Sequence, residues 1–192
     1  IPDPQDRYDR YPHELSGGML QRMMIALALA AKPKVLIADE PTTALDATVQ
    51  AQILALIRQI QQEDGIAVVL ITHDIGAVSV LADRVIVLYA GQIVEEGSAI
   101  DVLTRPVHPY TRGLLASVPD FRSKTASGTR EIPGLPPNQT RVEPGCRFAE
   151  RCELAQQTCR DRRSALALVT GGTIGHKAAC PIVISAEELD RT

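Results

Sequence analysis

The chain has 192 residues, 45% of them hydrophobic, a formal net charge of −3 and a mean hydropathy near zero. That suits one globular domain with a small appendage, and the slight acidity argues against bulk nucleic-acid binding. The longest apolar run, Met23 to Ala31, covers 9 residues, well short of the ~20 that span a bilayer. The chain opens on Ile1 rather than Met, which points to a start inside a longer protein, and it shows no secretory signal. Four cysteines in that setting point to a reducing compartment without disulfides.

Residues 1–14 are polar and rich in Pro, Asp, Arg and Tyr, and read as loop. Ser16 is a good N-cap, and the helix formers of 19–31 run to Lys32-Pro33, which stops the helix. The short apolar run over 34–38 predicts a buried parallel strand. Asp46 caps a second helix with Val49, Ile53, Leu56, Ile57 and Ile60 at helical spacing, ended by Asp64-Gly65. A second buried strand covers 66–72, so strand, helix and strand form a right-handed crossover unit. A short helix over 75–81 precedes a hairpin of strands 84–88 and 92–95 turning at Ala90-Gly91. Helical pieces follow near 99–103 and 110–117. Residues 119–145 are rich in Ser, Thr, Gly and Pro and read as a linker. All four cysteines lie beyond it.

In an open parallel sheet, ligands bind beyond the carboxyl ends of the strands. Asp39 and Glu40 stand there, and alternation along a strand lets them take different jobs. One acid suits Mg²⁺ and the other suits polarising a water; a solvated acidic loop is the plain alternative. His73 ends the neighbouring strand, so it joins the two acids on one rim, where it can contact a phosphate, orient the water, or simply pack. Ser16-Gly17-Gly18 opens a helix whose unpaired N–H groups and partial positive charge suit an anion. Glycine lets the backbone approach a phosphate, although the same residues also suit an ordinary cap and tight turn.

LSGGMLQR, then VLIADEPTTALD, then ITHD, in that order, resembles the second half of an ATP-binding cassette (ABC) ATPase over roughly residues 10–118. The resemblance implies an α/β fold: a partial P-loop NTPase core of parallel strands and helices, plus a small, loop-rich, cysteine-containing C-terminal extension. It implies that Leu15, Ser16, Gly17, Gly18 and Gln21 belong to the signature motif that grips ATP bound to a partner subunit. Asp39 would hold Mg²⁺ through water, Glu40 would be the catalytic base, and His73 the switch histidine on the γ-phosphate. Asp46 would belong, with Ala44 and Leu45, to the loop that touches the opposite subunit. Thr42, Thr43 and Thr48 read as structural. RPVHPYTRGLL, IPGLPP and GCRFAERC resemble the oligopeptide/dipeptide importer ATPases.

The implied organisation is 1–118 for the ATPase part, 119–145 for the linker and 146–192 for the extension. No GxxxxGK[ST] loop or Q-loop occurs, so this chain alone is expected to bind ATP hardly at all, and its sheet to show apolar surface and an uncovered edge. Cys146, Cys152, Cys159 and Cys180 are spaced C-x5-C-x6-C-x20-C, which suits zinc, an iron–sulfur cluster or plain free thiols, and lacks CxxC pairs. The resemblance implies a [4Fe–4S] cluster; His176 reads as structural. Implied partners are a second ATPase subunit, membrane permease subunits and, indirectly, a periplasmic or extracellular peptide-binding protein, with no nucleic acid. The implied place is the cytoplasmic face of the inner membrane. The competing function is a truncated, non-catalytic ABC relative serving as a regulatory or metal- or redox-sensing module.

Overall fold

A computed structural model describes residues 1, 3–118, 131–137, 144–169 and 173–182. The predicted linker over 119–145 falls largely outside the described residues. The chain divides into two compact units, 1–82 and 83–192. Among the described residues no helix is long and apolar enough to cross a membrane.

The first unit begins with α1 (Pro4–Tyr8) and a 3-10 turn (Pro12–Glu14), where the sequence predicts loop. The reason is local: each starts on a proline, whose fixed φ suits a first helical turn, and neither buries a residue. Helix α2 (Gly17–Ala30) starts where Ser16 accepts a hydrogen bond from the Met19 N–H at 3.4 Å. Strand β1 (Val35–Asp39), helix α3 (Ala47–Asp64) and strand β2 (Ala67–Ile71) form the expected crossover. The strands are parallel and in register from Val35↔Ala67 to Asp39↔Ile71. Asp46 caps α3 through the Val49 N–H at 2.9 Å, and Gly65 ends it in the left-handed conformation. Helix α4 (Ile75–Leu81) closes the unit, capped by Asp74.

The core of this unit gathers Ile25, Leu36, Ile53, Leu54, Ile57, Ile60, Ile66, Ala77 and Leu81. The apolar runs predict buried strands, yet each is buried on one face only, and the other face is the uncovered apolar surface expected of a sheet that lacks its P-loop strand. Leu36, Val68 and Leu70 pack into the core, whereas Ile37 is 67% exposed and Val35, Val69 and Ile71 are exposed with it. Alternation explains the split: the helices supply core contacts to one face of a two-stranded sheet, and every second side chain points to the other.

The second unit holds a four-stranded antiparallel sheet in the order β3-β4-β6-β5. Strands β3 (Arg84–Tyr89) and β4 (Gln92–Ser98) form the predicted hairpin. Its turn residues Ala90 and Gly91 both have positive φ, at 48° and 78°, as a tight turn matched to strand twist requires. Helices α5 (Ala99–Thr104) and α6 (Pro109–Ala116) follow, and α7 (Gln157–Asp161) carries Cys159. Beyond the sequence expectation, β5 (Ala167–Leu168) and β6 (Lys177–Ala178) join the tail to β4. Two-residue strands leave no periodic pattern to read.

Candidate functional site

The carboxyl ends of β1 and β2 lie level, because Asp39 pairs with Ile71 and the Glu40 N–H donates to the Ile71 carbonyl at 2.8 Å. Asp39 is exposed at the end of the ladder. Glu40 turns out of it with φ at 46°, a left-handed backbone that costs a non-glycine residue about 1 kcal/mol or more and needs surrounding contacts to persist. Those contacts are visible. His73 Nδ1 donates to Glu40 Oε1 at 2.7 Å, and the Thr43 hydroxyl donates to Glu40 Oε2 at 2.9 Å. Each carboxylate oxygen therefore has a partner.

The two ring and carboxyl groups tune each other. The hydrogen bond from His73, then that from Thr43, holds the Glu40 carboxyl below the usual carboxylate range. The hydrogen bond to Glu40 and its charge push the His73 imidazole above its ordinary value. His73 remains largely open to solvent on its other side, with its side chain 82% exposed. With Nδ1 committed to Glu40, Nε2 is the ring nitrogen left to meet a ligand.

Three residues that the sequence leaves out belong to this rim. Thr43, read as structural, is the second partner of Glu40. Asp74 caps α4 through the Gly76 N–H at 2.8 Å, while its other oxygen accepts from the Gln50 amide of α3. An Asp just before a helix signals a cap; nothing in the sequence signals the Gln50 contact, which spans 24 positions.

At the start of α2, Ser16 and Gly17 are exposed, and Leu15, Gly18 and Gln21 are half-buried. The start of α2 therefore combines unpaired backbone N–H groups with an open approach at Gly17. Asp46 serves as the α3 cap, and Ala44 beside it takes a positive φ of 63°.

In the second unit, the HPYT stretch is a helix start. His108 Nδ1 accepts the Tyr110 N–H at 3.1 Å, and Pro109 takes the first helical position. Tyr110, Tyr89 and Phe148 form an aromatic cluster with ring centroids 4.5 to 5.5 Å apart. Arg151 ties this cluster to the proline-rich segment, donating to the Ile132 and Pro133 carbonyls and to the Tyr89 hydroxyl. Buried Glu95 accepts the Val107 N–H, the His108 N–H and His176 Nε2–H at 2.8 to 2.9 Å. His176 is thus structural, as expected.

Cys146, Cys152, Cys159 and Cys180 all line one small pocket with His108, Phe148 and neighbouring alanines. None of the four is in a disulfide, and burial pushes Cys146 and Cys152 up from the usual thiol range. No group of three or more His, Cys, Asp or Glu side chains among the described residues is placed to hold a metal ion as it stands. Four cysteines around one pocket are the residue type that thiolate-bound metals use.

Two family models match. Residues 94–159 match the oligopeptide/dipeptide transporter C-terminal region, and residues 1–43 match the ABC transporter model. In these two stretches the chain is similar to the oligopeptide/dipeptide group of ABC transporter ATP-binding proteins. Its relatives agree. A protein of Sinorhizobium fredii named as a probable peptide ABC transporter ATP-binding protein is 53% identical over 180 residues, 94% of this chain and 53% of that protein. The dipeptide transport ATP-binding proteins DppD of Haemophilus influenzae and Escherichia coli are 51% and 48% identical, over 83% and 90% of this chain and 48% and 52% of theirs. A dimeric ATP-binding cassette structure bound to ADP and phosphate aligns with 47% of this chain and 39% of its own, at 40% identity and a TM-score of 0.43. The chain spans about half the length of the curated relatives it matches.

Proposed function

We propose that the chain forms the rim-bearing half of an ATP-hydrolysing subunit that powers import of oligopeptides or dipeptides through a membrane permease. The carrying observation is Glu40 at the carboxyl end of a parallel strand, held by His73 at 2.7 Å and Thr43 at 2.9 Å. An ionised carboxylate fixed in this way suits a general base that takes a proton from a water attacking the terminal phosphate. Its lowered pKa keeps it ionised, so it can accept a hydrogen bond from the water, orient it and receive its proton as the attack proceeds. His73 offers Nε2 to a phosphate oxygen. Asp39 would hold Mg²⁺ through water, and the ion would neutralise phosphate charge there.

Leu15, Ser16, Gly17, Gly18 and Gln21 would meet the nucleotide of a second ATPase subunit through the open start of α2, with Asp46 in the loop beside that subunit. A P-loop-bearing half would pack on the exposed face formed by Val35, Ile37, Val69 and Ile71, as burying such an apolar patch favours. The pair of subunits would sit against permease subunits at the cytoplasmic face of the membrane and be fed by a peptide-binding protein outside it. The relatives, named as peptide or dipeptide transport proteins, favour this reading over a non-catalytic regulatory module.

In the second unit, Cys146, Cys152, Cys159 and Cys180 would hold an iron–sulfur cluster, with zinc as the other occupant their chemistry allows. Such a group would staple the tail, a contribution on the order of 10 kcal/mol to folding. Iron, sulfide and zinc analysis of anaerobically purified protein tests it; a colourless, metal-free protein rejects it.

The transport reading is tested by uptake of labelled di- and oligopeptides in cells that depend on this subunit. Glu40→Gln should abolish uptake while leaving the protein at normal abundance in the membrane fraction. Undiminished uptake in that variant would defeat the reading.

A further inference from the structure

The two glycines that open α2 have a second constraint besides access to an anion. A Cβ at Gly18 would lie 2.5 Å from Val49 Cγ1, and a Cβ at Gly17 would lie 3.1 Å from Leu45 Cδ2. Leu45, just before the Asp46 cap, and Val49, in the first turn of α3, together fit against the bare backbone of α2. The seam continues one turn on, where Arg22 Nη2 donates to Gln52 Oε1 at 2.7 Å. The same seam begins at the loop that carries Glu40. Thr43, bound to Glu40, is followed by left-handed Ala44, then Leu45 against Gly17, then Asp46 capping the Val49 N–H.

We propose that Gly17 and Gly18 lock the start of α2 onto the Glu40 loop within one chain, so that the anion-gripping helix end and the catalytic carboxylate move as one body. The functional consequence rests on the ATPase reading above: in a two-subunit sandwich these groups would serve different nucleotides, and the seam would couple them. Contiguous packed contacts of this kind carry coupling only if perturbing one end shifts the other. The size of the clash sets an order. Val49 is β-branched and held to one χ1 rotamer in a helix, so it cannot swing away from an added methyl. Leu45 lies outside the helix and can. Gly18→Ala should therefore disrupt the seam more than Gly17→Ala.

Amide hydrogen exchange on the full chain, without nucleotide, tests this independently of hydrolysis. The reporters are the Thr43 and Leu45 amides, which bond the Glu40 and Thr42 carbonyls at 3.2 and 3.3 Å. In Gly18→Ala they should exchange about tenfold faster or more, which by the tenfold-per-1.4 kcal/mol rule is about 1.4 kcal/mol of lost protection. The double variant Gly18→Ala/Val49→Ala should restore them, because it removes the methyl group that collides. Faster exchange confined to α2, with Thr43 and Leu45 unchanged, would overturn the proposal, as would failure of Val49→Ala to restore protection. Should Gly18→Ala fail to fold, Leu45→Ala reads the seam from the other side. It should speed exchange at the Leu20 amide, which bonds the Ser16 carbonyl at 3.0 Å, and unchanged exchange there would equally overturn it. A catalytically silent Glu40 would sink the ATPase reading and leave this seam intact.

Discussion

Glu95 is the side chain on which the second unit is predicted to depend most. It is fully buried and accepts from three donors: the Val107 and His108 amides and the His176 ring N–H. Those donors come from the segment leading into α6 and from the segment before β6, so one carboxylate joins both to β4. Glu95→Ala leaves all three unpaired. At ~1–3 kcal/mol for each buried group left without a partner, the loss is at least about 3 kcal/mol, against the ~5–15 kcal/mol that holds a typical domain folded. Glu95→Gln keeps the volume and one oxygen acceptor, but its amide N–H₂ must face a donor, so a loss of ~1–3 kcal/mol is expected. Urea unfolding followed by circular dichroism gives the global change, and exchange at the Val107 and His108 amides gives the local one. An alanine variant that unfolds at the wild-type urea concentration with both amides still protected would refute the reasoning.

Ile57 is 1% exposed in the core of the first unit, so Ile57→Ala should cost ~2–5 kcal/mol, read as a lower unfolding midpoint. Gly145→Ala places a Cβ 2.3 Å from the Cys159 and Arg160 carbonyls; the backbone must shift and break the Cys146 N–H bond to Cys159, 2.7 Å long. A loss of ~1–3 kcal/mol or more follows, with faster exchange at Cys146. The Glu40–His73 ion pair exists between the lowered pKa of Glu40 and the raised pKa of His73. The contribution of His73 is complete below the ordinary imidazole pKa and is lost as pH rises through its raised value; that of Glu40 is complete above the ordinary carboxylate pKa and is lost as pH falls through its lowered value. Glu40→Gln should bring the His73 titration, followed by NMR, back down toward the ordinary imidazole value; an unmoved midpoint would show that Glu40 is not the cause.

The sequence makes the first unit legible because each element there carries its own boundary chemistry. Ser16, Asp46 and Asp74 start helices, Gly65 ends one, and the apolar spacing of α3 points Ile53, Ile57 and Ile60 at the core. The rim follows from parallel register, which sets the residues after both strands side by side. Two features escape for physical reasons. Strand burial depends on what covers the second face of the sheet, and no local pattern in Val35–Asp39 reports that. Thr43 and Gln50 reach their partners through a left-handed backbone turn and a contact between distant elements, neither of which has a periodic trace. In the second unit the cysteine spacing marks a common site, but β5 and β6 are too short to announce their pairing with β4.

The central claim is that Glu40, fixed by His73 and Thr43, activates the water that cleaves ATP. Purified subunit that carries these residues together with a P-loop half gives the most direct measurement: nucleotide affinity and hydrolysis rate, side by side, for wild type and Glu40→Gln. Unchanged ATP affinity with hydrolysis slowed by about 10²–10³-fold or more is the predicted result. Hydrolysis within a few-fold of wild type would contradict the account.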